Sequence, residues 1–111
     1  MLIENDKGGD SVDIAKICDA LGNETRYQIM KSLKDRAIAT CCKRIEYYEN
    51  GITVGDVVNI TGLAQSTISQ HLAVLVNAGI LYKEKRGPWT CFFLNKDVIR
   101  EFIEELNQVL K

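Results

Sequence analysis

The sequence predicts a mainly helical domain carrying one β-hairpin. Three observations carry that expectation: apolar residues recur at helical spacing through most of the chain, they switch to short β-prone runs only between Ile80 and Leu94, and residues that start and stop helices punctuate the pattern. At 111 residues and 46% hydrophobic content the chain has room for one domain with one modest core. A core of that size leaves much surface unburied, so a second copy of the chain is an expected further source of burial.

Residues 1–10 are polar and contain Gly8 and Gly9, and they read as a flexible N-terminal tail ahead of an ordered domain over 11–111. Ser11 is placed to cap a first helix whose Ile14, Ile17, Cys18 and Leu21 form one stripe closed by Gly22. Asn23 then caps a second helix, with Glu24 at its positive end and Ile29, Met30 and Leu33 facing inward. The stretch from Asp35 to Asn50 is too long for an ordinary helix connection, and Ile38, Cys41, Cys42, Ile45 and Tyr48 repeat helically, so an extra helix ending at Asn50-Gly51 is expected there.

Thr53 and Asp56 have the form of a capping box opening a further helix that stops at Thr61-Gly62. Gln65 to Asn77 follows almost at once, with Ile68, Leu72 and Leu75 on one side and Ser66, Ser69 and Gln70 on another, and it ends at Ala78-Gly79. Two β-prone runs, Ile80 to Lys85 and Trp89 to Leu94, flank Arg86-Gly87-Pro88 and form a hairpin with a basic tip. Asn95 caps a last helix whose Val98, Ile99, Phe102, Ile103, Leu106 and Leu110 make an apolar face wide enough for both a core and a partner. The order α-α-(α)-α-α-β-β-α is that of a winged helix-turn-helix.

The formal charge of −1 gives no global attraction to nucleic acid, so contact with DNA must rest on local asymmetry. Lys83, Lys85 and Arg86 stand against Glu84 alone, and five basic residues lie between Lys31 and Arg44 against Asp35. In a winged helix the second helix of the pair enters the major groove and the wing lies over phosphates. Gln65, Ser66, Ser69 and Gln70 are therefore assigned to base edges, because hydroxyls and amides can read bases without a fixed charge. Thr67 and His71 lie on a flank where phosphate contact and helix packing are both open. Lys83, Lys85 and Arg86 are assigned to the DNA backbone. A solvated polar face is the alternative for such a stripe, and a protein-contact winged helix or a constitutive DNA binder without effector is the alternative for the whole.

These residues also resemble a known family, the ArsR/SmtB repressors that respond to metals and thiol chemistry. ALGNETRYQIMKSL (20–33) is similar to the family's opening helix pair, LAQSTISQHL (63–72) to its recognition helix, and VLVNAGIL (74–81) with GPWTCFFL (87–94) to its helix end and wing. The resemblance covers roughly residues 14–106. It implies a homodimer joined through the first and last helices, bound to an imperfect palindromic operator in double-stranded DNA and released by an effector. The family's metal sites are not matched: Thr53-Val54-Gly55 stands where arsenic and cadmium sensors carry Cys-Val-Cys, and the last helix has neither the His of zinc and nickel sensors nor the Cys of sulfide-responsive members.

Cys41 and Cys42 are adjacent and flanked by Lys43 and Arg44, which would lower the pKa of an exposed thiol. With Cys18 or a partner's cysteine they could hold a soft metal or metalloid ion, or form oxidised species. The alternative is that Cys18, Cys41 and Cys42 fill apolar helix stripes as small hydrophobes. Cys91 shares a strand face with Trp89 and Phe93, and either face of that strand could be core. No phosphate loop, nucleophile elbow or paired carboxylate cleft suggests an enzyme, and Glu104 and Glu105 read as a solvated helix face. No basic leader or membrane-length apolar run is visible, so a cytoplasmic protein with reduced cysteines is expected.

Overall fold

The computed structural model describes residues 12–33 and 51–111. The expected tail, the Ser11 cap, the expected helix within 35–50, and Cys41 and Cys42 lie outside them. The described elements are α1 (Ile14–Leu21), α2 (Glu24–Ser32), α3 (Val54–Thr61), α4 (Gln65–Asn77), β1 (Leu81–Arg86), β2 (Trp89–Leu94) and α5 (Lys96–Asn107), followed by a single 3-10 turn, Gln108–Leu110.

Most helix boundaries follow from local hydrogen bonding. Asn23 accepts from the Arg26 amide at 3.1 Å, and Thr53 and Asp56 form a reciprocal capping box, each side chain bonded to the other residue's amide at 3.1 and 3.0 Å. α1 corrects the expectation for Ser11: its cap is Asp13, whose carboxylate accepts from the Lys16 amide at 3.1 Å. A charged acceptor gains from the positive end of the helix as well as from the hydrogen bond.

α3 ends at Gly62 (φ 72°), whose N–H donates to the Val58 carbonyl at 2.8 Å. α4 ends in a full Schellman motif: Gly79 (φ 81°) donates to Val76 at 2.9 Å, Ile80 donates to Leu75 at 3.0 Å, and the Ile80 and Leu75 side chains are both fully buried. The hairpin is antiparallel from Leu81 opposite Leu94 to Arg86 opposite Trp89, so the first strand runs one residue further along the chain than the β-prone pattern suggested. Gly87 takes φ 63°, and Pro88, whose ring fixes a negative φ, leaves type II′ as the two-residue turn.

Two features of the hairpin were not in the sequence pattern. Ile52 bridges Phe92 through paired backbone hydrogen bonds of 3.0 and 2.7 Å, joining the chain before α3 to the edge of β2. That approach explains Gly51, where a Cβ would stand 2.8 Å from both the Phe92 carbonyl oxygen and the Phe93 ring. The core gathers Ile17, Ala20, Ile29, Ile52, Val57, Ile68, Leu72, Leu75, Ile80, Leu81 and Phe92. Cys91 and Phe93 form a second, smaller buried cluster, so both faces of β2 are covered. α5 lays Val98, Ile99 and Phe102 against the core but buries no residue completely.

Candidate nucleic-acid interface

α3 and α4 are joined by Gly62, Leu63 and Ala64. Thr61 stiffens this turn, its hydroxyl donating to the Val57 carbonyl at 2.8 Å and accepting from the Leu63 amide at 3.2 Å. α4 then turns Ile68, Leu72 and Leu75 into the core. That leaves Ser66, Ser69 and Gln70 exposed, as periodicity implied, together with Gln65 at the first turn and Thr67 on the flank, and these side chains make no hydrogen bond among the described residues.

The start of α4 differs from the other helices. α1, α2, α3 and α5 each begin with a side chain that accepts an amide of the first turn, whereas α4 begins at Ala64, which has no such acceptor. Its first-turn N–H groups are left to face outward beside the Gln65 and Ser66 side chains.

His71 is half-buried on the flank of α4. Its Nδ1 lies 3.2 Å from an Arg26 terminal nitrogen, and Arg26 Nε donates to the Ala20 carbonyl at 2.7 Å. Burial, and then the neighbouring Arg26 charge, hold the His71 pKa below its ordinary value. Sequence reasoning left His71 open between phosphate contact and packing; the side chain that engages it stands 45 positions away and carried no local signal.

The wing divides its three cations. Lys83 and Lys85 are exposed and in no ion pair among the described residues. Lys83 lines a groove of about 270 Å³ with Ser69, Ala73 and Asn77 of α4, closed below by Val54, Val76 and Phe92. Arg86, assigned to the DNA backbone, has its guanidinium 4.5 Å over the Phe93 ring and paired with Glu84 at 2.9 Å. The alternation of β1 explains the split, since Leu81, Lys83 and Lys85 share the face towards α4 while Tyr82, Glu84 and Arg86 share the other, where Tyr82 stacks on Phe93 at 5.3 Å.

Cys91 is fully buried. Cys18 is exposed on α1, against the expectation that it fills an apolar stripe, because the core takes only Ile17 and Ala20 fully from that helix. Among the described residues no three His, Cys, Asp or Glu side chains come together as a metal site, and no helix is long and apolar enough to cross a membrane.

A tight helix pair, a second helix with a neutral hydrogen-bonding face, and a cationic hairpin beside it define a winged helix-turn-helix transcriptional regulator. Residues 49–83 match the family model described as bacterial regulatory protein, arsR family. Over 95 residues the chain is 30% identical to an uncharacterized HTH-type transcriptional regulator, MJ1325, of Methanocaldococcus jannaschii, covering 86% of this chain and 92% of that one. It is 28% identical over 86 residues to the arsenical resistance operon repressor of Bacillus subtilis, covering 78% and 70%. The solved structure of HlyU from Vibrio cholerae superposes with a TM-score of 0.59 at 27% identity, covering 86% and 88%. The chain belongs to the arsR family.

Proposed function

We propose that the chain is a homodimeric repressor that binds an imperfect palindrome in duplex DNA and leaves it when a thiophilic effector binds. The observation that carries the DNA reading is the exposed polar surface of α4, where Gln65, Ser66, Ser69 and Gln70 have no hydrogen-bond partner among the described residues and Ser69 lines a groove shared with Lys83. In this reading those four side chains contact base edges, Thr67 and His71 contact phosphate from the flank, and Lys83 and Lys85 contact phosphate from the wing. Arg86 braces the wing through Phe93 and Glu84 and contributes less directly.

The dimer reading rests on the end of the chain. Ile103, Leu106, Val109 and Leu110 are exposed on the last helix and its terminal turn, continuing the face whose other residues pack on the core. The operon-repressor relative supports repression and an arsenical effector. Cys41, Cys42 and Cys18 are the proposed thiolate ligands, of which Cys18 is exposed on α1. An effector that favours a non-binding dimer geometry weakens DNA affinity by its differential affinity for the two states, typically ~1–3 kcal/mol.

The test is fluorescence anisotropy of the reduced protein on the duplex upstream of its own gene, followed by arsenite added to the complex. Salt-sensitive binding reversed by arsenite, and arsenite-blind binding by the Cys41→Ser, Cys42→Ser double variant, is the expected result. Binding that arsenite leaves intact would retain the DNA reading and overturn the thiolate effector. Gln70→Ala should relax base preference, whereas Lys83→Ala should weaken all sequences alike and lower the salt dependence by about one phosphate contact.

A further inference from the structure

Arg26 and His71 connect two parts of the molecule that the DNA reading treats separately. The guanidinium spans from the last turn of α1, where Ala20 offers one of the carbonyls that a helix end leaves unbonded, to the flank of α4. Its backbone is itself fixed, since the Arg26 amide is the one that Asn23 caps.

The chemistry of this contact determines the state of the imidazole. A guanidinium has five N–H donors, no acceptor, and no accessible neutral form. Contact at 3.2 Å is a hydrogen bond only when Nδ1 presents a lone pair, so His71 must be neutral with its proton on Nε2. The two ring nitrogens point to nearly opposite sides. With Nδ1 turned towards α2, Nε2–H is turned away from it, and it has no hydrogen-bond partner among the described residues.

The geometry points to Arg26 as a positioning residue for DNA contact, fixing His71 as the Nε2–H tautomer so that this N–H is offered to a phosphate oxygen beside the recognition helix. This rests on the reading of α4 as the DNA-contacting helix. An N–H of set direction is a more selective donor than a mobile lysine, because it can be satisfied only where the DNA backbone passes the His71 flank of α4, on the side turned away from α2, at the right depth. His71 would thus control how the helix seats in the groove, leaving the choice of bases to its neighbours.

The chain has one histidine, so its imidazole nitrogens give a single set of NMR signals. In the free wild-type protein at neutral pH, Nε2 should be protonated and Nδ1 bare, and Arg26→Met should shift this to a tautomer mixture. A protonated Nδ1 in the wild type would overturn the proposal. Two variants separate the inward and outward nitrogens without depending on Arg26: an asparagine amide oxygen replaces the Nδ1 acceptor, and a glutamine amide nitrogen replaces the Nε2 donor. On the duplex upstream of its own gene, His71→Asn should weaken binding about tenfold, the effect of losing one hydrogen bond to a charged group, while His71→Gln stays within about threefold of wild type.

Arg26→Met should weaken binding by about the factor by which the Nε2–H fraction falls, about twofold for an even mixture, and should have little effect in the His71→Gln background, which no longer needs the tautomer fixed. If His71→Asn binds as tightly as wild type while Gln70→Ala relaxes base preference, the DNA reading stands and this proposal falls. If the wild type fails to bind duplex DNA at all, both fall.

Discussion

α4 and α5 are nearly equal in length and both amphipathic, yet they use their apolar faces in opposite ways. α4 buries Ile68, Leu72 and Leu75 almost completely and exposes neutral polar side chains. α5 buries nothing completely: Val98, Ile99 and Phe102 rest on the core, and Ile103 and Leu106 remain 53% and 45% exposed. An apolar stripe shows that a helix face seeks cover, but only the fold shows whether the same chain provides it. α4 has its cover and offers polar groups, whereas α5 still lacks cover over half its stripe.

The contrast can be broken most strongly inside α4. Leu75→Ala should destabilise the protein by about 2–5 kcal/mol in urea unfolding, because it empties a fully enclosed site and weakens the corner where the wing begins. Leu106→Lys in α5 should barely affect the fold of one protomer, yet it should raise the dimer dissociation constant at least about tenfold in sedimentation, or ~1.4 kcal/mol. Equal effects of the two variants on monomer stability would erase the distinction between the helices.

The helix starts sharpen it further. Ala64→Asp adds the acceptor that α4 lacks, in an extended backbone conformation suited to a cap, and should raise stability by about 0.5–1 kcal/mol. It should also weaken DNA binding, because the added carboxylate occupies the amides and repels phosphate. Gains in both would show that the uncapped start has no part in binding.

The smallest effect is that of pH on the flank of α4. His71 has its pKa lowered by burial and by Arg26, so between its native value and about 6.5 the unfolded chain binds more protons than the folded one. Stability is therefore complete above about pH 6.5 and falls as pH drops through the native value. Unfolding curves collected across that range should show a dependence that His71→Asn lacks.

What could be read from the sequence was what local chemistry decides. Asn23, the Thr53 and Asp56 pair, Gly62, Gly79 and Asn95 set boundaries through bonds to residues three or four positions away, and their residue types announced those bonds. The polar face of α4 was legible for the same reason, since helical period separates Ser66, Ser69 and Gln70 from Ile68 and Leu72, while Gln65 is exposed only because it stands at the first turn. Contacts between distant residues were not legible. The Ile52 bridge to Phe92 joins positions on either side of the helix pair, and Arg26 reaches His71 across 45 positions. Arg86 was assigned to DNA as a cation at a hairpin tip, and the charge pattern did not reveal that strand alternation sets its guanidinium over Phe93. Cys18 shows the limit of stripe reading, since a spacing marks a direction on a helix without saying how wide the covering core will be.

The Schellman corner at Gly79 carries one more consequence. Because Gly79 and Ile80 bond back to Val76 and Leu75, and the amide of Asn95, just past β2, donates to the Ile80 carbonyl at 2.8 Å, α4 and the wing share one elbow. Each protomer of the proposed dimer then acts as a single jaw of a caliper. In that proposal an effector need not deform either jaw; it needs only to alter the gap between them, which the proposed interface through α1 and α5 would set. Operators whose half-sites are respaced by one base pair should then mimic, on the DNA side, what the effector does on the protein side.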